Sequence, residues 1–193
     1  MKDFAAIAAF VISLVAKIPY VIETIKGEVK PERISWLLWT ILGFVYFFST
    51  IYDTGAMLFT LGEVLAPIII FILAIKYGVG GKSKFDLVSL AVALVALALL
   101  LTTSNVFLSL CLALFIDAIG IMLTIRKLHM DRASESKAFW GLCALASVFA
   151  VLSLQEYTAT ALMFPVYVLV VSLYIFVIAK PAAKKHTKEI EAL

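Results

Sequence analysis

Seven apolar runs, at roughly 4–25, 34–52, 57–76, 86–103, 106–125, 138–154 and 158–179, follow one another with only short polar or charged breaks between them. This alternation is the tightest constraint on the fold, because a membrane-crossing helix needs about 20 mostly apolar residues. Composition agrees: 64% of the 193 residues are hydrophobic and the mean hydropathy is +1.09, whereas a soluble domain is about half apolar. A water-soluble core of this size has no room for so much apolar surface. The reading is an all-α integral membrane protein with seven transmembrane helices. The fourth run, "LVSLAVALVALALLL", holds no charge, and the short break "TTSN" separates it from the fifth.

The basic residues test that count independently. Fourteen of the sixteen Lys and Arg fall in alternate turns and the tail: Lys26, Lys30 and Arg33; Lys76, Lys82 and Lys84; Arg126, Lys127, Arg132 and Lys137; then Lys180, Lys184, Lys185 and Lys188. The intervening turns "YDTG", "TTSN" and "QEYT" hold none, and the remaining two are Lys2 and Lys17. Basic turns stay cytoplasmic, so the N-terminus is expected outside and the C-terminus inside, which requires an odd number of spans. The first run follows Met1-Lys2-Asp3, is long for a signal sequence and has no small-residue cleavage pattern after it. It is read as a retained helix.

Several chemistries find no support in the residues. Cys111 and Cys143 lie in apolar runs without metal-ligand spacing, and His129 and His186 sit apart in charged stretches, so no metal or cofactor is expected. The run "YGVGGKSK" lacks phosphate-loop spacing, and no nucleic-acid partner is indicated. No His cluster, paired acids or activated Ser or Cys suggests an enzyme.

The first three runs can be laid on the last three. At an offset of 100, Thr24-Ile25-Lys26 falls on Thr124-Ile125-Arg126; one residue further on, Ser35 falls on Ser136 and Trp39 on Trp140. Each third run carries a proline, Pro67 or Pro165. One span separates the triplets, so they start on the same side, as in parallel-repeat transporters. The organisation expected is a first three-helix bundle over 1–80, a linker helix over 81–104, a second bundle over 105–180 and a basic cytoplasmic tail over 181–193, in a 3+1+3 order.

A proline near the inner end of a first helix, then a basic turn, then Ser and Trp opening a second helix, as in "IPYVIETIKGEVKPERISWLLWT", resembles the PQ-loop families, which include the SWEET sugar transporters and their half-size bacterial relatives. The bacterial PnuC vitamin transporters are similar in architecture. The family's Pro-Gln pair reads Pro19-Tyr20 here, and Ile119-Gly120 stands at the matching second position. The resemblance implies two three-helix bundles around a path that opens alternately to each side, a small-molecule substrate, the bilayer as surroundings, compatibility with a homo-oligomer, and the inner membrane of a prokaryote. The third and seventh runs lack the Asn and Trp pair that sugar-transporting members use.

Candidate path residues follow from charge and polarity inside the runs. Lys17 lies roughly 12 Å from the inner end of its helix at 1.5 Å per residue, and Asp117 is its repeat partner. A charge at mid-helix costs about 2.5–3.5 kcal/mol and marks function by default. The two either face one another as a gate or substrate pair, or Lys17 snorkels while Asp117 bonds a hydroxyl. Trp39 and Trp140 either line a flat substrate site or anchor helices. Tyr20, Ser13 and Asn105 are further polar path candidates. Asp117 and Glu63 are the proton-coupling candidates. Pro19, Gly120, Pro67 and Pro165 are hinge candidates, with a static bend as the alternative for each proline. A non-transporting scaffold, sensor or partner-binding subunit of the same architecture is the competing function.

Overall fold

The computed structural model describes residues 1–49 and 54–181, with the side chains of 49–63 excepted. Among these residues the chain forms seven helices: α1 Lys2–Ile25, α2 Arg33–Ser49, α3 Thr54–Tyr77, α4 Lys84–Thr102, α5 Val106–Met130, α6 Lys137–Ser153 and α7 Ala159–Ile178. Four of them, α1, α4, α5 and α7, are long and apolar enough to cross a membrane. α2 and α6 are equally apolar in character but have 17 residues each, at the short limit of about 17–25 for a spanning helix. Apolar side chains such as Phe4, Ile7, Val11 and Ile18 on α1, and Leu87, Val88, Val95 and Leu99 on α4, point away from the bundle. This outward greasiness suits lipid and not water. The protein is an integral membrane protein by these criteria.

Local sequence explains where helices begin and end. The side chains of Ser83, Asn105, Ser136 and Thr158 each accept a bond from a backbone N–H in the first turn of α4, α5, α6 and α7, satisfying donors that the helix itself leaves open. α1 ends because Gly27 takes φ +70°. With Glu28 N–H bonding Glu23 O at 2.9 Å and Gly27 N–H bonding Thr24 O at 3.0 Å, this is a Schellman turn, which glycine adopts without a Cβ penalty. α5 runs to Met130, beyond the expected end near 125, because Arg126 and Lys127 find carboxylates within the protein instead of ending the helix in solvent.

The packing order differs from the chain order. α3 packs on both α1 and α2, which make no backbone contact with each other among the described residues; α7 likewise packs on both α5 and α6. α1 runs along α6 more extensively than along any other helix, and α2 packs on α5. The six helices thus close a ring in the order α1, α3, α2, α5, α7, α6. α4 lies outside it against α5, reaching α2.

One end of this ring is sewn together by its turns. Val79 N–H bonds Pro31 O at 2.9 Å and Arg33 N–H bonds Val79 O at 3.0 Å, joining the α1–α2 turn to the end of α3. Arg33 adds bonds to Ala74 O and Gly80 O. Lys180 N–H bonds Arg132 O at 2.7 Å, joining the α5–α6 turn to the end of α7, and Lys30 N–H bonds Ser134 O at 3.1 Å, joining the two turns. This is the end that carries the Lys- and Arg-rich turns, called the basic end below.

Candidate functional site

Two helices that do not touch along their backbones, α2 and α6, send indoles across the ring interior to meet. The rings of Trp39 and Trp140 lie edge-to-face with centroids 6.2 Å apart. Trp36 sits against Trp39 and Tyr20, each at 4.9 Å, and Phe139 packs on Tyr20 and Trp140, each at 5.0 Å. Edge-to-face geometry at this spacing adds to area burial, by about 0.5–1.5 kcal/mol per pair. The pairing of Trp39 with Trp140, expected from the repeat offset, is thus present as a contact.

Toward the basic end the aromatic cluster meets a buried carboxylate. Glu135, 1% exposed, comes from the α5–α6 turn. Its Oε1 accepts from the Tyr20 hydroxyl at 3.2 Å and from Lys127 Nζ, while its Oε2 accepts from the Trp140 indole at 2.8 Å. Trp36 Nε1 in turn donates to Tyr20 Oη at 3.0 Å. Lys127 is itself 4% exposed and also donates to Lys30 O at 2.6 Å. One acid therefore ties α1, α5 and α6, and through Lys127 the α1–α2 turn. Buried ion pairs survive only when their remaining donors and acceptors are satisfied, and this pair meets that condition.

A second polar patch lies beside Gly120. Ser35 Oγ stands 2.8 Å from Glu32 Oε2 and 2.6 Å from Gly120 O, and accepts from Thr124 Oγ1 at 3.0 Å. Ser35 N–H also bonds Glu32 Oε2, at 2.6 Å. Burial holds the Glu32 carboxyl above its ordinary range, opposed by the Ser35 bonds and by Lys127. Gly120 has a packing role: a Cβ there would stand 3.0 Å from Trp39 Nε1. Glycine lets the indole lie against α5.

Asp117 sits near the middle of α5. Its Oδ2 accepts from the Tyr167 hydroxyl of α7 at 2.7 Å, and the Trp39 indole lies near the same carboxylate. Its hydrogen-bond partner is therefore Tyr167 and not Lys17. The packing order gives the reason, since α1 and α5 stand apart in the ring. Lys17 is half-buried on α1.

The remaining candidates fall in different places. Tyr20 is fully buried in the Glu135 cluster. Ser13 is half-buried, with its hydroxyl bonded back to Phe10 O. Asn105 is the N-cap of α5, its Oδ1 accepting from Leu108 N–H at 2.9 Å at an exposed site. Pro19 is half-buried inside α1, while Pro67 and Pro165 are buried inside α3 and α7. The side chain of Glu63, and the tail beyond residue 181, lie outside the described residues.

Glu135, Lys127, Glu32 and Tyr167 had not been singled out in the sequence. Lys127 had been counted as a turn charge facing the cytoplasm; the structure buries it, because turns that bond to one another shield what lies between them. A signal for the acids was present: each basic turn that opens α2 or α6 carries a glutamate within three residues of the helix-starting serine, in "PERISW" and "SESKAFW". No protein-family model, curated protein or solved structure matches this chain.

Proposed function

We propose that the protein transports a small molecule by alternating access, as a facilitator or with proton coupling, in a 3+1+3 arrangement of seven spans. The observation that carries this reading is the Trp39–Trp140 contact across the ring interior, with the Asp117 carboxylate near the same Trp39. Aromatic walls with one charged group are the usual lining of a small-molecule site. The packing order supports the repeat: replacing α1, α2 and α3 by α5, α6 and α7 turns the α1–α6 contact into the α5–α2 contact, and both occur. The bonds from Val79 to Pro31 and from Lys180 to Arg132 also correspond at one offset of 101 residues, the offset that pairs Ser35 with Ser136. With the basic end cytoplasmic, the Glu135 cluster closes the path on that side, and Asp117 and Glu63 are its proton-coupling candidates. A PQ-loop or SWEET-like membership and a prokaryotic inner membrane belong to the same reading.

The filled aromatic interior favours one competitor, a membrane scaffold that transports nothing. One experiment separates them. Purified protein in detergent is screened by thermal unfolding against sugars, amino acids, nucleosides and vitamins, wild type beside Asp117→Asn, and any hit is followed by uptake into proteoliposomes. Bound ligand raises the melting temperature by mass action. A ligand that stabilises the wild type, is taken up, and loses both effects in Asp117→Asn is the expected result. If no compound acts and the variant melts like the wild type, the scaffold stands.

A further inference from the structure

At the basic end, outside the helix ring's aromatic centre, the α1–α2 turn, the α3–α4 turn, the start of α4 and the end of α5 enclose a cavity of about 200 Å³. Glu32 and Gly80 both line it. Glu32 is 3% exposed, and its Oε2 takes both donors of Ser35. Among the described residues no donor reaches its other oxygen, Oε1. That oxygen occupies the position where any residue larger than glycine at 80 would carry its Cβ, and Gly80 holds φ +80° besides.

Among the described residues Glu32 makes no ion pair, whereas the two cations that line the cavity do. Arg126 is paired with Asp86 at 2.8 Å, and Lys127 is paired with Glu135. Lys127 also attracts Glu32 through space, and Arg33, bonded to Gly80 O, adjoins it in the chain, so Glu32 is set apart by its bare buried oxygen and not by an uncompensated charge. A buried acceptor without a donor costs about 1–3 kcal/mol, more when charged. Val79, Leu123 and Met130 give the cavity its apolar lining. The space exceeds what a single water takes, about 30 Å³, and a bare metal ion makes no use of the apolar wall. The mouth is open to solution, since the Arg126 side chain is 41% exposed and Met130 is 74% exposed.

We infer that this cavity is a binding site for a small primary ammonium compound, with its –NH₃⁺ group donating to Glu32 Oε1 and its short alkyl part against Val79, Leu123 and Met130. Charge-assisted N–H bonds are the strong ones, and an ammonium supplies the missing donor. The occupant touches the turns of the first three helices, the linker helix α4 and α5 at once, so its binding holds these three parts together. The site is separate from the Trp39–Trp140 contact and does not depend on what, if anything, is transported.

The test titrates n-butylammonium chloride against the full chain in detergent, at ionic strength held constant with sodium chloride, and follows the melting temperature. The expected result is a saturable rise, an apparent affinity about tenfold or more weaker in Glu32→Gln, and no saturable rise with tetramethylammonium, which carries the charge without an N–H. Methylammonium is expected to bind several-fold more weakly than butylammonium. No rise beyond the salt control overturns the site. An equal rise with tetramethylammonium overturns the hydrogen bond to Glu32, an equal affinity for methylammonium overturns the apolar wall, and a rise with sodium alone makes this a metal-ion site instead. The wild-type comparisons decide these points even if Glu32→Gln fails to fold.

Discussion

Trp39 and Trp140 touch one another, yet each indole serves a carboxylate in a different setting. Trp140 donates to Glu135, which lies in a turn at the basic end and holds Lys127 and Tyr20 as well. Trp39 lies near Asp117, which is within a helix and accepts a hydrogen bond from the neutral Tyr167. The neighbours differ to match. Tyr20 fills the Trp140 side of the cluster, while at the corresponding offset of 100 residues Gly120 leaves room for Trp39. Glu135 has a full positive charge to balance it and belongs to a fixed joint. Asp117 has the Tyr167 hydrogen bond and a neutral indole nearby. Two similar aromatic positions thus sit against acids in different settings, one ion-paired and one bonded to a neutral hydroxyl.

The largest effect is expected on the structural side. Glu135→Ala leaves Lys127 buried with only the carbonyls of Lys30 and Ser134 to bond, and stranding one member of a buried pair costs about 3–5 kcal/mol. Unfolding in detergent should show a loss of that size. The double change Lys127→Met with Glu135→Leu should recover a good part of it, because both charges then leave together. Equal destabilisation by the single and double changes would mean that the pair itself contributes nothing and that only the turn geometry counts.

Next in size comes the Trp39 side. Gly120→Ala brings a methyl to 3.0 Å from Trp39 Nε1 and 3.2 Å from its Cε2. The indole must give way, and its placement near Asp117 shifts with it. Overpacking of this kind costs about 1–3 kcal/mol. In a transporter the same variant should lower uptake by more than its loss of stability explains, measured as uptake per folded protein. A variant that unfolds more easily but transports normally would show that Trp39 and Asp117 do not act as one unit.

Much of this arrangement was legible in the residues, for identifiable reasons. The helices follow from apolar runs separated by charged turns, and caps such as Ser83 and Ser136 mark the starts. The repeat offset pairs Trp39 with Trp140, which meet, and equally Lys17 with Asp117, whose helices stand apart in the ring. Asn105 shows the limit: a polar residue just before an apolar run reads equally as a path residue or as a cap, and only the bond to Leu108 N–H shows the cap. The partners of Asp117 were hidden because they depend on packing order. α3 and α7 each lie between the two helices that precede them in the chain, so helices matched by the repeat stand apart in the ring. Glu135 and Lys127 were hidden because hydropathy treats a charged turn as exposed, whereas here backbone bonds between turns bury its contents.

The smallest expected effect gives the sharpest comparison of the two tryptophans. Phenylalanine at either position keeps most of the ring and removes the indole N–H, which in Trp140 donates to Glu135 and in Trp39 lies near Asp117. If ring burial decided the outcome, Trp140→Phe would cost more, because Trp140 is buried and Trp39 is half-buried. If donor supply decides it, Trp39→Phe costs more, because Asp117 keeps only Tyr167 whereas Glu135 keeps Lys127 and Tyr20. A bond to a charged group is worth about 1.5–3 kcal/mol, and a carboxylate with a cation beside it loses the lower part of that range. Trp39→Phe is therefore expected to be the more damaging of the two, by about 1 kcal/mol on this scale, in paired unfolding measurements at neutral pH. Lowering the pH into the range where Asp117 protonates should shrink the difference, since a neutral acid needs the indole less. A Trp140→Phe variant that is the weaker at every pH would instead make Asp117 an ordinary buried acid, and with it remove the contrast between the two sites.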